Sequence, residues 1–448
     1  MSEYVTYPIQ ELLEQGILFI GDGYRAKNSE LDSHGLPFAR GANINNGFLF
    51  DDADRFPIES LSRVGNKVSQ AGDVVFTSKG TVGRFAFVDE NIEQFVYSPQ
   101  LCFWRVLDTD WIEPRYLFYW MNGREFYLQY SGVKGQTDMA DYVSLTDQRR
   151  MFITVPPLHE QRAIAHILGP LDDKIEANRR QNETLEATVR AIFKSWFVDF
   201  DPVHARSRGE QPSGMDAETA ALFPDSFEES ELGLIPCGWQ VATIGDHVKA
   251  TKGLSYKGEH LVDNIEDGIP MHNLNSINEW GTYKFDGIKF YSGEYQPRHE
   301  VKPGDLIVAN TEQGFDLLLI ASPAIVPAVF GSKGIISHHV YKVEVKRKSP
   351  LTRLFLYYRI MMSPFRDLLQ GYTNGTTVNM LPADAFERPQ FIMPPSELMQ
   401  RFESIVAPML EQIEHIYEES RTLVETRDAL LPRLVSGELR VGEMEDMS

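Results

Sequence analysis

A loose set of acidic and basic residues in the second half of the chain has the residue types of a metal-dependent nuclease. Asp305 is followed by Glu344 and Lys346. In such enzymes carboxylates hold Mg²⁺ and a lysine assists the attacking water. The matching segment of the first half, Arg105-Val106-Leu107, carries neither the acid nor the base. We therefore predict that the chain is not an enzyme, and we keep a Mg-dependent nuclease only as an alternative.

Other motifs that could carry chemistry are weak or missing. His338-His339 has the ring nitrogens to bind a metal, but a polar pair at a strand edge is the favoured interpretation, and no metal site is predicted. The sequence contains no Gly-x-x-x-x-Gly-Lys-Ser/Thr phosphate loop and no Gly-x-Gly-x-x-Gly turn. It also lacks the Asn/Asp-Pro-Pro-Tyr/Phe run typical of base-amino methyltransferases. We expect no cofactor in this chain.

The most informative feature is that the second half of the chain repeats the first. Pro156-Pro157 opens a long charged segment with an apolar stripe, and Pro394-Pro395 opens a second one 238 residues later. In both, stripe residues recur at alternating steps of three and four, the spacing of a coiled coil. The first stripe is Leu168, Leu171, Ile175, Asn178, Asn182, Leu185, Val189, Ile192, Trp196; the second is Val406, Met409, Ile413, Ile416, Ser420, Leu423, Arg427, Leu430, Leu434.

The two stripes predict two long helices that pack on each other. A helix over residues 171–199 would be about 43 Å long, and one this polar needs a partner to persist. Polar stripe positions would restrict the register at a cost in stability. Pro170 and Pro408 should kink the helices or split off their first turns. The alternative is that each helix packs only on its own domain. A duplicated unit gives the chain an approximate two-fold symmetry axis, and duplex DNA has local two-fold symmetry as well.

The globular blocks, 1–155 and 232–393, also match, though weakly. Gly72-Asp73-Val74-Val75 parallels Gly304-Asp305-Leu306-Ile307. Gly135-Gln136-Thr137 parallels Gly375-Thr376-Thr377. One framework with two sets of loops suggests two readers of two different targets, although ordinary drift after duplication would leave the same pattern.

Composition sets the outer limits. A chain of 448 residues suggests two to four domains. The net charge of −21 is unusual for a nucleic-acid binder, and it fits a subunit whose partners supply much of the phosphate contact. Cys102 and Cys237 have no metal-like spacing and fit a reducing compartment. Without a signal peptide or a stretch long enough to span a bilayer, we expect a cytoplasmic protein that has no membrane contact.

The two long segments of the chain resemble a known family. The run Pro156-Pro157-Leu158-His159-Glu160-Gln161-Arg162-Ala163-Ile164 and the helix end Phe193-Lys194-Ser195-Trp196-Phe197-Val198-Asp199-Phe200 resemble the first conserved region of type I restriction-modification specificity (S) subunits. Leu430-Leu431-Pro432-Arg433-Leu434-Val435-Ser436-Gly437-Glu438-Leu439 resembles the second. The start of the second region departs from the pattern at Pro395-Ser396-Glu397-Leu398-Met399-Gln400.

The resemblance implies a fold of the α/β (α+β) class with an internal pseudo-two-fold repeat. Two target recognition domains would be separated by two antiparallel helices that form a coiled coil, set the gap between two DNA half-sites and dock the methyltransferase subunits. The predicted parts are domain 1 (1–155), spacer helix 1 (156–200), a linker (201–231), domain 2 (232–393), spacer helix 2 (394–437) and a tail (438–448).

The resemblance also implies partners. These are double-stranded DNA, two methyltransferase (M) subunits and restriction (R) subunits. S-adenosylmethionine, ATP and Mg²⁺ are expected on those subunits.

Residues that read bases are nominated from the matched glycine-containing loops. Arg and Lys suit guanine, Asn and Gln suit adenine, and aromatic residues or Thr suit the thymine methyl group. The candidates are Lys79, Thr81, Arg84, Lys134, Gln136 and Thr137 in the first block, and Asn310, Thr311, Gln313, Tyr372, Asn374, Thr376 and Thr377 in the second.

Two further alternatives stay open. The chain could be an assembly scaffold whose globular blocks bind protein rather than DNA. It could also be a relative that directs methylation without restriction, because that difference lies in neighbouring genes.

Overall fold

The chain folds as two compact units: unit 1 is Met1–Arg179 with Glu419–Ser448, and unit 2 is Arg180–Glu418. The computed structural model describes residues 4–44, 47–133, 141–314, 316–375 and 378–441. Both units mix helices with strands, so the predicted α/β (α+β) class is confirmed. None of the helices within these ranges is long and apolar enough to cross a membrane.

Unit 1 contains nine strands and four short helices among its described residues. Their bounds are β1 (Val5–Pro8), α1 (Ile9–Glu14), β2 (Leu18–Asp22), β3 (Leu36–Ala39), β4 (Arg55–Phe56), β5 (Val74–Thr77), β6 (Phe85–Phe87), β7 (Val96–Tyr97), β8 (Leu101–Val106), α2 (Pro114–Met121), α3 (Arg124–Ser131), α4 (Leu145–Arg149) and β9 (Phe152–Val155). The long helix α5 (Leu158–Phe197) follows.

The main sheet of unit 1 has the strand order β2-β8-β5-β6, with antiparallel neighbours throughout. Every residue of β5 is buried because β5 lies inside the sheet. The helix α2 starts with proline, which is tolerated where the first N–H groups lack an intrahelical acceptor. Trp104, Trp120 and Phe126 pack together between this sheet and the helices.

Unit 2 repeats this plan with insertions. Its elements are α6 (Asp201–Ser207), α7 (Ala217–Ala221), β10 (Phe227–Ser230), β11 (Gly233–Pro236), β12 (Gln240–Thr243), α8 (Ile244–His247), β13 (Val248–Lys252), β14 (Leu261–Val262), β15 (Ile269–His272), β16 (Lys289–Tyr291), β17 (Glu300–Val301), β18 (Leu306–Ala309), β19 (Thr311–Gln313), β20 (Pro323–Ile325), β21 (Gly334–Ile336), β22 (Val340–Val345), α9 (Arg353–Met361), α10 (Phe365–Gln370), β23 (Val378–Met380), β24 (Gln390–Met393) and α11 (Ser396–Val435).

The sheets of unit 2 correspond to those of unit 1. The order β13-β22-β18-β20 matches β2-β8-β5-β6, and β12 pairs with β24 as β1 pairs with β9. Parallel pairing of β15 with β21 matches that of β3 with β7. The predicted linker, 201–231, forms α6, α7 and β10, and β10 pairs with β11, which lies beyond the linker. Val203 and Phe223 of the linker enter the main core of unit 2.

The helices α5 and α11 both have 40 residues, and each starts and ends 238 positions from the other's equivalents. Both continue through the interior prolines, Pro170 and Pro408, so the first turns are not split off. No stripe residue is exposed in either helix, and this set comprises Leu168, Leu171, Ile175, Asn178, Asn182, Leu185, Val189, Ile192, Trp196, Val406, Met409, Ile413, Ile416, Ser420, Leu423, Arg427, Leu430 and Leu434.

Within each unit the two helices pack antiparallel. In unit 1, Arg427 donates to the Asp172 carboxylate at 2.9 Å, and the Asn178 amide donates to Glu419 at 2.9 Å. In unit 2, the Asn182 amide lies 3.5 Å from the Ile413 carbonyl oxygen. From contact to contact, the residue number rises in α5 and falls in α11, so the two helices run in opposite directions. Polar stripe residues therefore bond across the seam, as expected of positions that restrict register.

Candidate nucleic-acid interface

The two candidate reading loops follow equivalent strands and are held by equivalent backbone bonds. In unit 1 the Ser78 N–H donates to the Gln100 carbonyl at 2.9 Å, and the Val143 N–H donates to the Ser78 carbonyl at 2.9 Å. In unit 2 the Asn310 N–H donates to the His339 carbonyl at 3.0 Å, and the Leu381 N–H donates to the Asn310 carbonyl at 2.8 Å. One framework thus presents two loops.

In unit 1 the structure brings Lys79, Thr81 and Arg84 onto one exposed loop between β5 and β6. The Thr77 hydroxyl donates to the Thr81 carbonyl at 2.6 Å and accepts from the Arg84 N–H at 3.0 Å, which closes the loop. The Arg84 guanidinium reaches two carbonyl oxygens, of Gly41 and Ile44, at 3.4 Å each. These long bonds leave its exposed face available. Three further candidates, Lys134, Gln136 and Thr137, lie outside the described residues.

In unit 2 the nominated residues separate into an inner and an outer group. Asn310 and Thr311 are buried. The Asn310 amide donates to the His338 carbonyl at 3.1 Å, and the Thr311 hydroxyl donates to the Asn310 amide oxygen at 2.7 Å. Because their polar atoms are already engaged inside the protein, we assign these two residues to positioning the loop and leave them out of the interface.

The outer group lies on a small ribbon. Gln313, exposed, is the last residue of β19 and pairs with Val378 of β23. Asn374, also exposed, exchanges two backbone hydrogen bonds with Met380 at 2.9 and 2.8 Å. Tyr372 is half-buried, with the Arg388 guanidinium 5.7 Å from its ring centre. Gln313 and Asn374 therefore share one surface, while Thr376 and Thr377 lie outside the described residues.

The loop after β19 is fixed by a single carboxylate. Glu312 accepts the backbone N–H groups of Leu318, Leu319 and Ile320, each at 2.9 Å. Hydrogen bonds to an ionised acceptor are stronger than neutral ones. Glu312 lies between the buried Thr311 and the exposed Gln313. These three hydrogen bonds therefore hold in place the strand that carries Gln313. Sequence reasoning missed it because the partners are backbone groups.

A group of basic side chains lies close to the second loop and was not nominated from the sequence. The rings of His338 and His339 have their centroids 3.8 Å apart, and burial lowers the pKa of both, with Lys252 lowering each further. Lys289 also acts on His339. The His339 carbonyl accepts from the Asn310 N–H, so this histidine pair lies next to the start of the second loop.

The nuclease and metal hypotheses find little support in the geometry. The Lys342 ammonium lies 3.5 Å from the Asp305 carboxylate and 3.0 Å from that of Glu344. The Lys346 ammonium donates to the Gly245 carbonyl. Both carboxylates and the lysine that would assist water are thus engaged with other groups. The described ranges contain no group of three or more His, Cys, Asp or Glu placed to hold a metal ion.

Comparisons with known proteins show which family this chain is similar to. Residues 1–187 match the family described as the type I restriction modification DNA specificity domain. The type I restriction enzyme HindI specificity subunit of Haemophilus influenzae is 24% identical, and the alignment covers 94% of this chain and 98% of that protein. The MjaIX specificity subunit of Methanocaldococcus jannaschii is 24% identical, over 84% of this chain and 80% of that protein.

A solved structure shares the fold. The type I restriction-modification S subunit from M. genitalium superimposes with a TM-score of 0.57 at 12% identity, covering 97% of this chain and 96% of that chain. The family match and the two relatives confirm the resemblance inferred from the sequence. Over 94% and 84% of its length, this chain is similar to these two specificity subunits of type I restriction enzymes.

Proposed function

We propose that this chain is the DNA sequence-specificity subunit of a type I restriction-modification complex and is itself non-catalytic. One observation carries the proposal. Two units of the same sheet topology each present a loop held by the same pair of backbone bonds, at Ser78 and at Asn310. Each unit reads one half of a bipartite DNA site. Domains 1–155 and 232–393 are the two target recognition domains.

The chemistry of the two loops differs, so the half-sites they read should differ. Lys79 and Arg84 are exposed on the first loop, and cationic donors of this kind suit the acceptors of guanine. Gln313 and Asn374 are exposed on the second, and amides suit adenine. Lys252, exposed at the end of β13, is suited to a phosphate contact, which positions a protein without reading sequence.

The helix pair has the second role in this proposal. Its buried seam includes polar bonds such as Asn178 to Glu419 that restrict sliding. A fixed register would fix the gap between the half-sites. The exposed faces of α5 and α11 would dock two methyltransferase subunits, which carry S-adenosylmethionine, and restriction subunits, which use ATP and Mg²⁺. With a net charge of −21, the chain should depend on these partners for much of its phosphate contact.

The test is a genome-wide map of methylated adenines in the source organism, with the gene present, deleted and restored. The proposal predicts that deletion removes methylation from one split, asymmetric motif and that the wild-type gene restores it. Restoration with Gln313→Ala should alter the second half of the motif alone. An assembled complex that binds all DNA sequences equally would replace this proposal with the assembly scaffold.

A further inference from the structure

The strand β23 has its apolar side chains on the outside. Val378 and Met380 are 43% and 42% exposed, whereas Asn379 between them is 9% exposed. The Asn379 amide donates inward to the Gly314 carbonyl. An antiparallel strand with one solvated face normally turns its apolar residues inward and its polar residues outward. Here the alternation is inverted, so two apolar side chains of one strand face are exposed beside Gln313 and Asn374.

Unit 1 has an exposed apolar residue at the equivalent position. Tyr142, 238 residues before Met380, is 42% exposed. It forms an antiparallel bridge with Lys79, just as Met380 pairs with Thr311. In both units the next residue, Val143 or Leu381, is fully buried. The backbone thus anchors an apolar side chain beside each reading loop and holds it in solvent.

We propose that Tyr142 in unit 1 and Met380 with Val378 in unit 2 read thymine through its 5-methyl group, each in its own half-site. The inference rests on the proposed function. In the major groove the thymine methyl is the apolar group that base edges present. The neighbours of these residues, Lys79 in unit 1 and Gln313 and Asn374 in unit 2, are exposed hydrogen-bonding groups. This mixture of apolar and donor groups suits a base edge better than the apolar centre of a protein interface.

The experiment uses the complex assembled from this chain and its methyltransferase partners, on DNA that carries the mapped motif. Thymines in one half-site are replaced by uracil, which lacks only the 5-methyl group. Uracil in the second half-site should weaken binding roughly fourfold for each contacted methyl group. That penalty should disappear in the complex of the double variant Val378→Ala with Met380→Ala and remain in the Tyr142→Ala complex. Uracil in the first half-site should give the reverse.

Matched controls come from exposed leucines elsewhere in each unit. Leu107 of unit 1 and Leu234 of unit 2 are 56% and 61% exposed. Neither Leu107→Ala nor Leu234→Ala should change the uracil penalty. Tyr142→Phe and Met380→Leu keep an apolar side chain and should keep the penalty, which separates a lost contact from a misfolded variant.

Failure of the inference and failure of the proposed function look different. A complex that binds no defined motif overturns the proposed function. A complex that binds its motif but shows no uracil penalty overturns only the inference. A uracil penalty that persists after the alanine substitutions also overturns only the inference. A half-site that contains no thymine on either strand does so too. Equal loss of thymine and uracil DNA binding in Met380→Ala would indicate a protein partner or a wedge between base pairs, and would also overturn it.

Discussion

Ser78 and Asn310, which are 232 residues apart in the chain, hold the same place in the two units. The N–H of each donates to the carbonyl of the residue just before the neighbouring strand, Gln100 or His339. The carbonyl of each accepts from the N–H of a buried residue, Val143 or Leu381. The side chains that follow them are unrelated, Lys79 in one unit and Thr311 in the other. A constant backbone with variable neighbours lets recognition change without a change of fold.

The first prediction is that the two loops act on separate half-sites. Gln313→Ala should weaken binding to the second half-site by about 1–3 kcal/mol, the range for loss of a bidentate amide–adenine contact. The measurement is competition between DNAs in which one half-site at a time is scrambled. Lys79→Ala is the matched variant and should affect only the first half-site. Joint weakening of both halves by Gln313→Ala would show that Gln313 does not read a base.

The second prediction concerns Glu312, whose carboxylate accepts three backbone N–H groups. Glu312→Ala leaves the N–H groups of Leu318, Leu319 and Ile320 without their acceptor. We expect the free energy of unfolding of unit 2 to fall by about 2 kcal/mol, and recognition of the second half-site to weaken because the Gln313 strand is less fixed. Urea unfolding checks the stability. Gln313→Ala should leave stability unchanged, so an equal loss in both variants would refute the assignment.

The helices could be predicted from sequence because their stripes follow a local periodicity. Both α5 and α11 lie within the predicted segments and share the same 238-residue offset. The reading residues could be placed only in part. Whether Asn310 or Gln313 faces solvent depends on the pairing of β19 with β23, about 70 residues further along, and no local pattern encodes that pairing. Exposed Tyr142 and Met380 were missed for a related reason, since apolar residues in strands usually belong to the core.

The third prediction concerns a buried ion pair in unit 1. Arg105 donates to the Asp73 carboxylate through Nε at 2.6 Å and Nη2 at 2.7 Å, and the Tyr97 hydroxyl donates to the same carboxylate at 2.7 Å. Because Asp73 is fully buried, Arg105→Ala would leave its charge uncompensated. We expect a loss of about 3–5 kcal/mol in the stability of unit 1.

Urea unfolding of the variants tests this third prediction with its own control. The double variant Asp73→Ala with Arg105→Ala removes both charges and should be more stable than Arg105→Ala alone. If the double variant is the less stable of the two, an unpaired carboxylate is not the cause of the loss. Recognition of the second half-site should be retained in both, because neither residue belongs to unit 2.

The last prediction is an acid sensitivity of unit 2 that originates at His272. This side chain is buried, its Nδ1 lies 2.7 Å from the Tyr283 hydroxyl, and desolvation lowers its pKa to about 3. Because the folded-state pKa is below the unfolded value of about 6.5, protonation favours the unfolded state. The contribution of neutral His272 to the stability of unit 2 is complete above pH 6.5. It declines by about 1.4 kcal/mol per pH unit as the pH falls towards 3, a loss of about 2 kcal/mol at pH 5.

Hydrogen exchange of the strands β15 and β21 at pH 7 and pH 5, corrected for intrinsic rates, measures this loss of stability. His272→Gln cannot titrate and should lose this part of the acid sensitivity, whereas His34→Gln, at a side chain 66% exposed in unit 1, should behave as the parent does. An unchanged pH dependence in His272→Gln would mean that other groups, the His338–His339 pair first among them, cause the destabilisation.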